Sequence, residues 1–225
     1  MHYDPDLSQP EATPPEQEAD LVPAWLALLV LVLLLAVAVL AGFVIRGLIV
    51  DDEPATVAEM ALVDWQREVE SNPSDPDALI GLGYSHQRQG EHERAIEMYD
   101  RALELDAGNP GALYNKGVAL LALDRGKEAE VVLWDLLEVT PDHVLAAKAL
   151  GEYYIGRGHY KSALTALEPV IEERPEFADL QYLAGHSCEQ LDLVDHAIAY
   201  YRGALTYVPD HVEAREGLER LEGDR

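Results

Sequence analysis

One cysteine, two phenylalanines and only 16 basic residues are spread over the 225 positions of this chain. The lone Cys188 excludes an internal disulfide and a zinc site built from thiolates, and no cysteine near the N-terminus is available to carry a lipid. Against the 16 bases stand 42 acids, for a formal net charge of −26. Residues 1–50 hold six of those acids and one base, Arg46, so a net −21 falls on residues 51–225. A surface this acidic repels phosphate backbones and anionic headgroups, which argues against a nucleic-acid partner. Three readings of the charge stay open: solubility alone, a basic partner, or stand-off from a membrane surface. Also missing are a glycine-rich phosphate loop, a His-Glu-x-x-His pair, a calcium-binding loop and a nucleophile elbow. The eight histidines are scattered, and pairs such as Glu172-Glu173 read as solvated helix surface. With no motif that carries chemistry, no enzyme, cofactor or metal is expected.

Charge is absent altogether from residues 24–45, AWLALLVLVLLLAVAVLAGFVI. Twenty-two residues at a helical rise of about 1.5 Å span roughly 33 Å, enough for a hydrocarbon core of about 30 Å. Trp25 stands at one end, where an interfacial aromatic belongs, and Arg46 at the other. A cleaved signal peptide would use Ala36-Val37-Ala38, but the region before it is acidic and the apolar run continues past it. The expectation is therefore an uncleaved transmembrane anchor within 21–50, in contact with the lipid bilayer through 24–45, and a single-pass protein of a bacterial cytoplasmic membrane. Basic residues flanking the anchor favour a cytoplasmic C-terminal side, since the tail has no Lys or Arg and Arg46 follows directly. An N-terminal anchor leading a domain outward is the alternative arrangement. Residues 1–20, acidic and proline-rich, read as a disordered tail. After a short linker, 51–55, Thr56-Val57-Ala58-Glu59 makes a capping-box pattern that starts a helix. From there the periodicity is helical to the C-terminus.

That helical stretch repeats. Gly83, Gly117, Gly151 and Gly185 are each 34 residues apart, and so are Ala95, Ala129, Ala163 and Ala197. Pro73, Pro141, Pro175 and Pro209 keep the same spacing, with Ala107 in the vacant place. The pattern resembles the tetratricopeptide repeat (TPR), whose 34-residue unit is a pair of antiparallel helices, A and B. The resemblance implies an all-α fold: an N-terminal transmembrane helix followed by a TPR solenoid. Four repeats cover 76–211 (76–109, 110–143, 144–177 and 178–211). A half repeat over 56–75 carries Ala61, Trp65 and Pro73 in register, and a polar capping helix occupies 212–225. The small residues then mark close crossings, with each glycine of helix A facing the alanine of helix B. Gly90 ends a helix in a turn that glycine enters cheaply. Lys116, His86 and Cys188 depart from the usual large apolar residues, and Cys188 reads as a packing residue.

In this family the A helices line a concave groove that holds extended peptides or helices. Carried over by register, the lining here is Ile80, Tyr84, Gln87 and Arg88 in the first repeat, and Tyr114, Val118 and Leu121 in the second. Leu145, Lys148, Glu152 and Ile155 follow in the third, then Tyr182, His186 and Glu189 in the fourth. The three tyrosines suit protein recognition. Arg88 and Lys148 are the only basic members, and no asparagine joins them, which disfavours capture of a chaperone's C-terminal carboxylate. The resemblance implies a membrane-tethered module that docks a protein or peptide and scaffolds a membrane-associated complex. Its alternative is a holdase-like client receptor at the translocon or in cytochrome c maturation, where bacterial proteins have this architecture. An enzyme without a recognisable motif is the outsider, and the oligomeric state is not readable.

Overall fold

The computed structural model describes residues 24–50 and 57–223. It divides into two compact units, Met1–Pro54 and Ala55–Arg225. The tail over 1–20, the linker over 51–55 and Thr56 of the capping box lie outside the described residues.

The first unit contributes one helix, α1 (Ala24–Val50), 27 residues long. Over 28–41 it is apolar on every side, with Leu28, Leu34 and Leu40 between 63% and 66% exposed. Among the described residues no helix is long and apolar enough to cross a membrane. The side chains of α1 are described without a break only over 28–41, which is about 21 Å of helix. The anchor expected over 24–45 is therefore not established by the fold.

The second unit is a row of helices. A single helix α2 (Val57–Ser71) precedes four pairs: α3 (Pro76–Arg88) with α4 (His92–Leu105), α5 (Pro110–Ala122) with α6 (Gly126–Val139), α7 (Val144–Gly156) with α8 (Tyr160–Glu173), and α9 (Ala178–Gln190) with α10 (Val194–Tyr207). A last helix, α11 (Val212–Gly223), packs on α9 and α10. The A helices α3, α5, α7, α9 and α11 each touch the next one, whereas no B helix touches another B helix. A row that is close on one side and open on the other must curve, and the A helices lie on its inner face.

The glycine register meets the sequence expectation in part: a Cβ at Gly83 would lie 3.1 Å from the Ala95 carbonyl oxygen, but the nearest atoms belong to another register. A Cβ at Gly83, Gly117, Gly151 or Gly185 would lie 2.6–2.9 Å from Tyr99, Leu133, Leu167 or Tyr201, respectively. The glycine thus makes room for a large residue 16 positions on, one helical turn past the alanine it was expected to face. The alanines, all 0% exposed, let helix B lie close enough for that side chain to reach across. Each A helix then ends on a residue with positive φ: Gly90, Asp124, Gly158 and Asp192 at +79°, +56°, +73° and +58°. Aspartate therefore enters twice where glycine is the cheap choice.

Each B helix ends before the proline register. Asp106, Thr140, Arg174 and Val208 take extended or near-extended φ/ψ there, as a following proline requires. Ala107 lacks that constraint, and the Asp106 carboxylate supplies a turn instead, accepting the Gly108 N–H at 3.3 Å. Lys116 stands in the register of Leu82 and Leu150 and reaches Asp100 on α4 at 2.5 Å. Cys188 is 1% exposed and burial pushes its thiol up to about 11, as a packing residue should be.

Candidate binding groove

The inner face begins with how each A helix is started. Asp75 Oδ1 accepts the N–H groups of Asp77 (2.9 Å) and Ala78 (3.5 Å), and Asn109 Oδ1 accepts that of Ala112 (3.1 Å). In the same register His143 and His211 do this with an imidazole: Nδ1 accepts the N–H of Ala146 at 3.1 Å and of Ala214 at 3.3 Å. An imidazole caps in this way only while Nδ1 is unprotonated. Burial holds His143 below the ordinary histidine value, against the weaker opposing influence of its own backbone hydrogen bond and Asp142. The remaining A helix, α9, has Phe177 in this place and no side-chain cap.

Those caps also position the aromatic residues. The Tyr114 ring lies 5.5 Å from the His143 ring, and Tyr182 lies 5.3 Å from His211. Tyr182 further stacks on His186 at 6.3 Å and on Tyr201 at 6.2 Å. Both tyrosines are half-buried and packed against the core. Tyr84 differs, being 48% exposed. Of the three expected recognition tyrosines, two lean on the cap of the following A helix and one presents an open face.

The register of Gln87, Leu121, Ile155 and Glu189 turns toward its own helix B. Tyr99 donates its hydroxyl to Gln87 at 2.8 Å and Tyr201 to Glu189 at 2.6 Å. Where the partner register holds Leu133 and Leu167, the acceptors are replaced by Leu121 and Ile155, which pack against the core. Glu189 also takes Arg220 of α11 in a fork, at 2.7 and 2.9 Å. That guanidinium holds the Glu189 carboxyl below the usual carboxylate range, against the raising effect of burial. Gln87 and Glu189 are thus committed to the scaffold.

Between α7 and α9, Lys148 pairs with Asp179, whose other oxygen lies 3.6 Å from His211 Nε2. Lys148 is therefore bridged to its neighbour, while Arg88 is exposed and has no ion-pair partner among the described residues. Ile80 is half-buried, toward the start of α5 at Gly111. Val118, Leu145 and Glu152 stand around a recess of about 420 Å³ together with Tyr114, Leu121, Lys148, Ala149 and Tyr153. Leu145, on its rim, is 51% exposed. A second recess, about 310 Å³, runs from Leu145 to Phe177 and Val208. A third, about 190 Å³, is bounded by Lys148, Glu152, Asp179, Tyr182, Leu183, His211 and Glu213.

The sequence pattern missed Ala149, Tyr153, Phe177, Val208, His211 and Glu213 as lining residues. His211 and Phe177 were findable, since both sit in the cap register. Val208 was not, because it comes from the end of a B helix. Among the described residues, no group of three His, Cys, Asp or Glu side chains is placed to hold a metal ion.

Known proteins share this arrangement. A tetratricopeptide repeat family model matches residues 86–153, and a second one matches 61–110 and 148–212. The inactive TPR repeat-containing thioredoxin TTL3 of Arabidopsis thaliana is 30% identical over 115 residues, 51% of this chain and 16% of that protein. The chain spans between 9% and 27% of the curated relatives it matches. Among solved structures, MamA superposes with a TM-score of 0.61 at 22% identity, covering 69% of this chain and 96% of that one. YrrB, described as a TPR protein with an unusual peptide-binding site, also scores 0.61 at 22% identity over 71% and 82% of the two chains. At that identity the likeness concerns the fold. The 34-residue pairs, the curved row of A helices and the family models that between them match 61–212 agree: this chain belongs to the tetratricopeptide repeat family.

Proposed function

We propose that this chain is a membrane-tethered docking protein, whose inner groove holds a segment of a protein partner and whose anchor keeps that partner at the membrane. The observation that carries the docking role is the recess between α5 and α7. It is floored by Val118, Leu121 and Ala149, and Leu145 on its rim is half exposed to solvent. Leu145 stays open to solvent beside a recess with apolar residues in its floor, and a partner that covers it would explain that exposure. YrrB, with its peptide-binding site, offers a precedent on the same fold. Residues 24–45 support tethering, because an uncharged helix that is apolar on every side gains nothing from water. Tethering raises the local concentration of whatever is docked, so weak groove binding suffices. No catalytic step belongs to this reading.

The docking surface is tested by substitution at exposed groove positions. Tyr114 and Tyr182 are poor choices, since truncating them also strips the cap histidines. Leu145→Asp and Tyr84→Ala leave the core untouched and should abolish photo-crosslinking from a probe placed at Val118. No crosslink from Val118 in the native chain would show the groove to be the wrong surface, and crosslinking that persists through both changes would show that Leu145 and Tyr84 do not hold the partner. Recovery of one folded partner in fixed proportion would mark a scaffold, and weak capture of many unfolded segments a client receptor.

The side of the membrane follows from labelling. In a Cys188→Ala background, Gly223→Cys should resist an impermeant thiol reagent in intact bacterial cells and react after permeabilisation, if the repeats are cytoplasmic as the Arg46 placement suggests. Extraction of the chain from membranes by carbonate alone would contradict the anchor.

A further inference from the structure

The charges around the groove are not spent evenly. Lys148 in repeat three is committed to Asp179, and Arg220 on α11 to Glu189. Two of the groove's acids are not. Glu152 is exposed and has no ion-pair partner among the described residues. Glu213 Oε2 lies 3.3 Å from His211 Nδ1, but that nitrogen already accepts the Ala214 N–H and has no proton to offer. Glu152 and Glu213 bound the same small recess, with the Tyr182 ring on its wall. This recess adjoins the apolar one, since Lys148 and Glu152 line both. The apolar recess in turn continues past Leu145 to Phe177 and Val208.

We propose that the groove selects a segment in which an apolar side chain stands next to a lysine or arginine. The apolar side chain seats between α5 and α7, and the cation between Glu152 and Glu213 beside Tyr182. This rests on the docking role proposed above and names its ligand. A cation there meets two carboxylates, Glu152 with no ion-pair partner among the described residues and Glu213 with only the His211 ring beside it. An acidic side chain would meet the same carboxylates in a domain of net charge −21, and Lys148, the lysine that lines the recess, is already held by Asp179. The acidic surface then acts in recognition, steering basic segments toward the groove.

The test uses the full chain in a neutral detergent with three short fluorescent peptides on a Gly-Ser background. One pairs leucine with arginine, one leucine with glutamate and one serine with arginine. Fluorescence anisotropy should rank leucine–arginine first, by about tenfold over leucine–glutamate, with the gap closing as salt is added. Glu152→Lys with Glu213→Lys, both at exposed positions, should invert that ranking without moving the unfolding midpoint. An arginine preference untouched by those two changes would overturn the inference, because it would come from the surface at large. Equal binding of the leucine peptides, both lost on Leu145→Asp, would also overturn it while leaving the docking role standing. If no peptide responds to Leu145→Asp, the docking role itself falls along with it.

Discussion

Gly185→Ala and Gly156→Ala make the same chemical change in helices of the same array and should move stability in opposite directions. Alanine in place of a helical glycine gains about 0.5–1 kcal/mol from the backbone alone. At Gly156, the last residue of α7, a Cβ would meet nothing within 4 Å, so that gain should appear nearly whole. At Gly185 the new carbon would lie 2.7 Å from the Tyr201 ring and 3.3 Å from Tyr200 Cβ. Tyr201 cannot retreat. It is 0% exposed, its hydroxyl is tied to Glu189, and a Cβ at Gly217 of α11 would sit 2.6 Å from the same ring. Forcing a methyl group into such packing costs about 1–3 kcal/mol, which exceeds the backbone gain. The expected balance is a loss of about 1–2 kcal/mol at Gly185 and a gain of up to about 1 kcal/mol at Gly156. Urea unfolding followed by helical circular dichroism would measure both, and hydrogen exchange in α9 and α10 would localise the loss. Repeat arrays unfold in parts, so the local measurement guards against a midpoint that averages over them. If Gly185→Ala proves as stable as Gly156→Ala, the packing account of the 34-residue glycine register is wrong.

Asp124→Gly and Asp192→Gly should each stabilise the array by up to about 1 kcal/mol, since both aspartates hold a positive φ, and a raised urea midpoint would show it. Tyr201→Phe should cost about 1.5–3 kcal/mol because its hydroxyl serves a charged carboxylate, whereas Tyr99→Phe, bonded to the neutral Gln87, should cost about 0.5–1.5 kcal/mol; equal losses would contradict the pairing. For His143 the folded protein lowers the pKa and so favours the neutral ring. Its contribution is complete above the unfolded histidine value and is lost as pH falls through the lower folded value. Thermal unfolding of the native chain should therefore show a loss between neutral and mildly acidic pH that shrinks in His143→Asn, which caps at every pH.

The 34-residue period was legible because it arises within one repeat. A glycine and the large side chain it admits are 16 residues apart, so each unit carries its own evidence, and four units repeat it. Even so, the pairing was read incompletely: the alanine register is the more visible of the two, while its neighbour is tyrosine in the outer repeats and leucine in the inner ones. Gln87 and Glu189 were read as groove residues although the clue lay in the sequence, since tyrosine stands at 99 and 201 only where an acceptor stands at 87 and 189. Contacts between repeats were not legible in that way. Lys148 and Asp179 are 31 positions apart on helices that meet only once the array has stacked, and no single repeat contains the pair.

The departures from the repeat divide into those the structure compensates and those it does not. Where proline is missing at Ala107, the Asp106 carboxylate makes the turn; where leucine is missing at Lys116, the ammonium finds Asp100. Histidine replaces aspartate and asparagine as a cap without loss of the hydrogen bond. Phe177 is different, because α9 forgoes a side-chain cap that typically contributes about 1 kcal/mol. The ring contacts the Arg174 guanidinium, 4.8 Å from its centroid, and lines the recess that runs on to Leu145. If packing against the core alone retained it, Phe177→Asn should gain about 1 kcal/mol from the cap, lose at least as much with the ring, and leave peptide binding unchanged. If the recess is part of the docking surface, the same change should also weaken the leucine–arginine peptide. Unfolding and anisotropy measured on that one variant separate the two, and a variant that binds as tightly as the native chain would remove Phe177 from the groove.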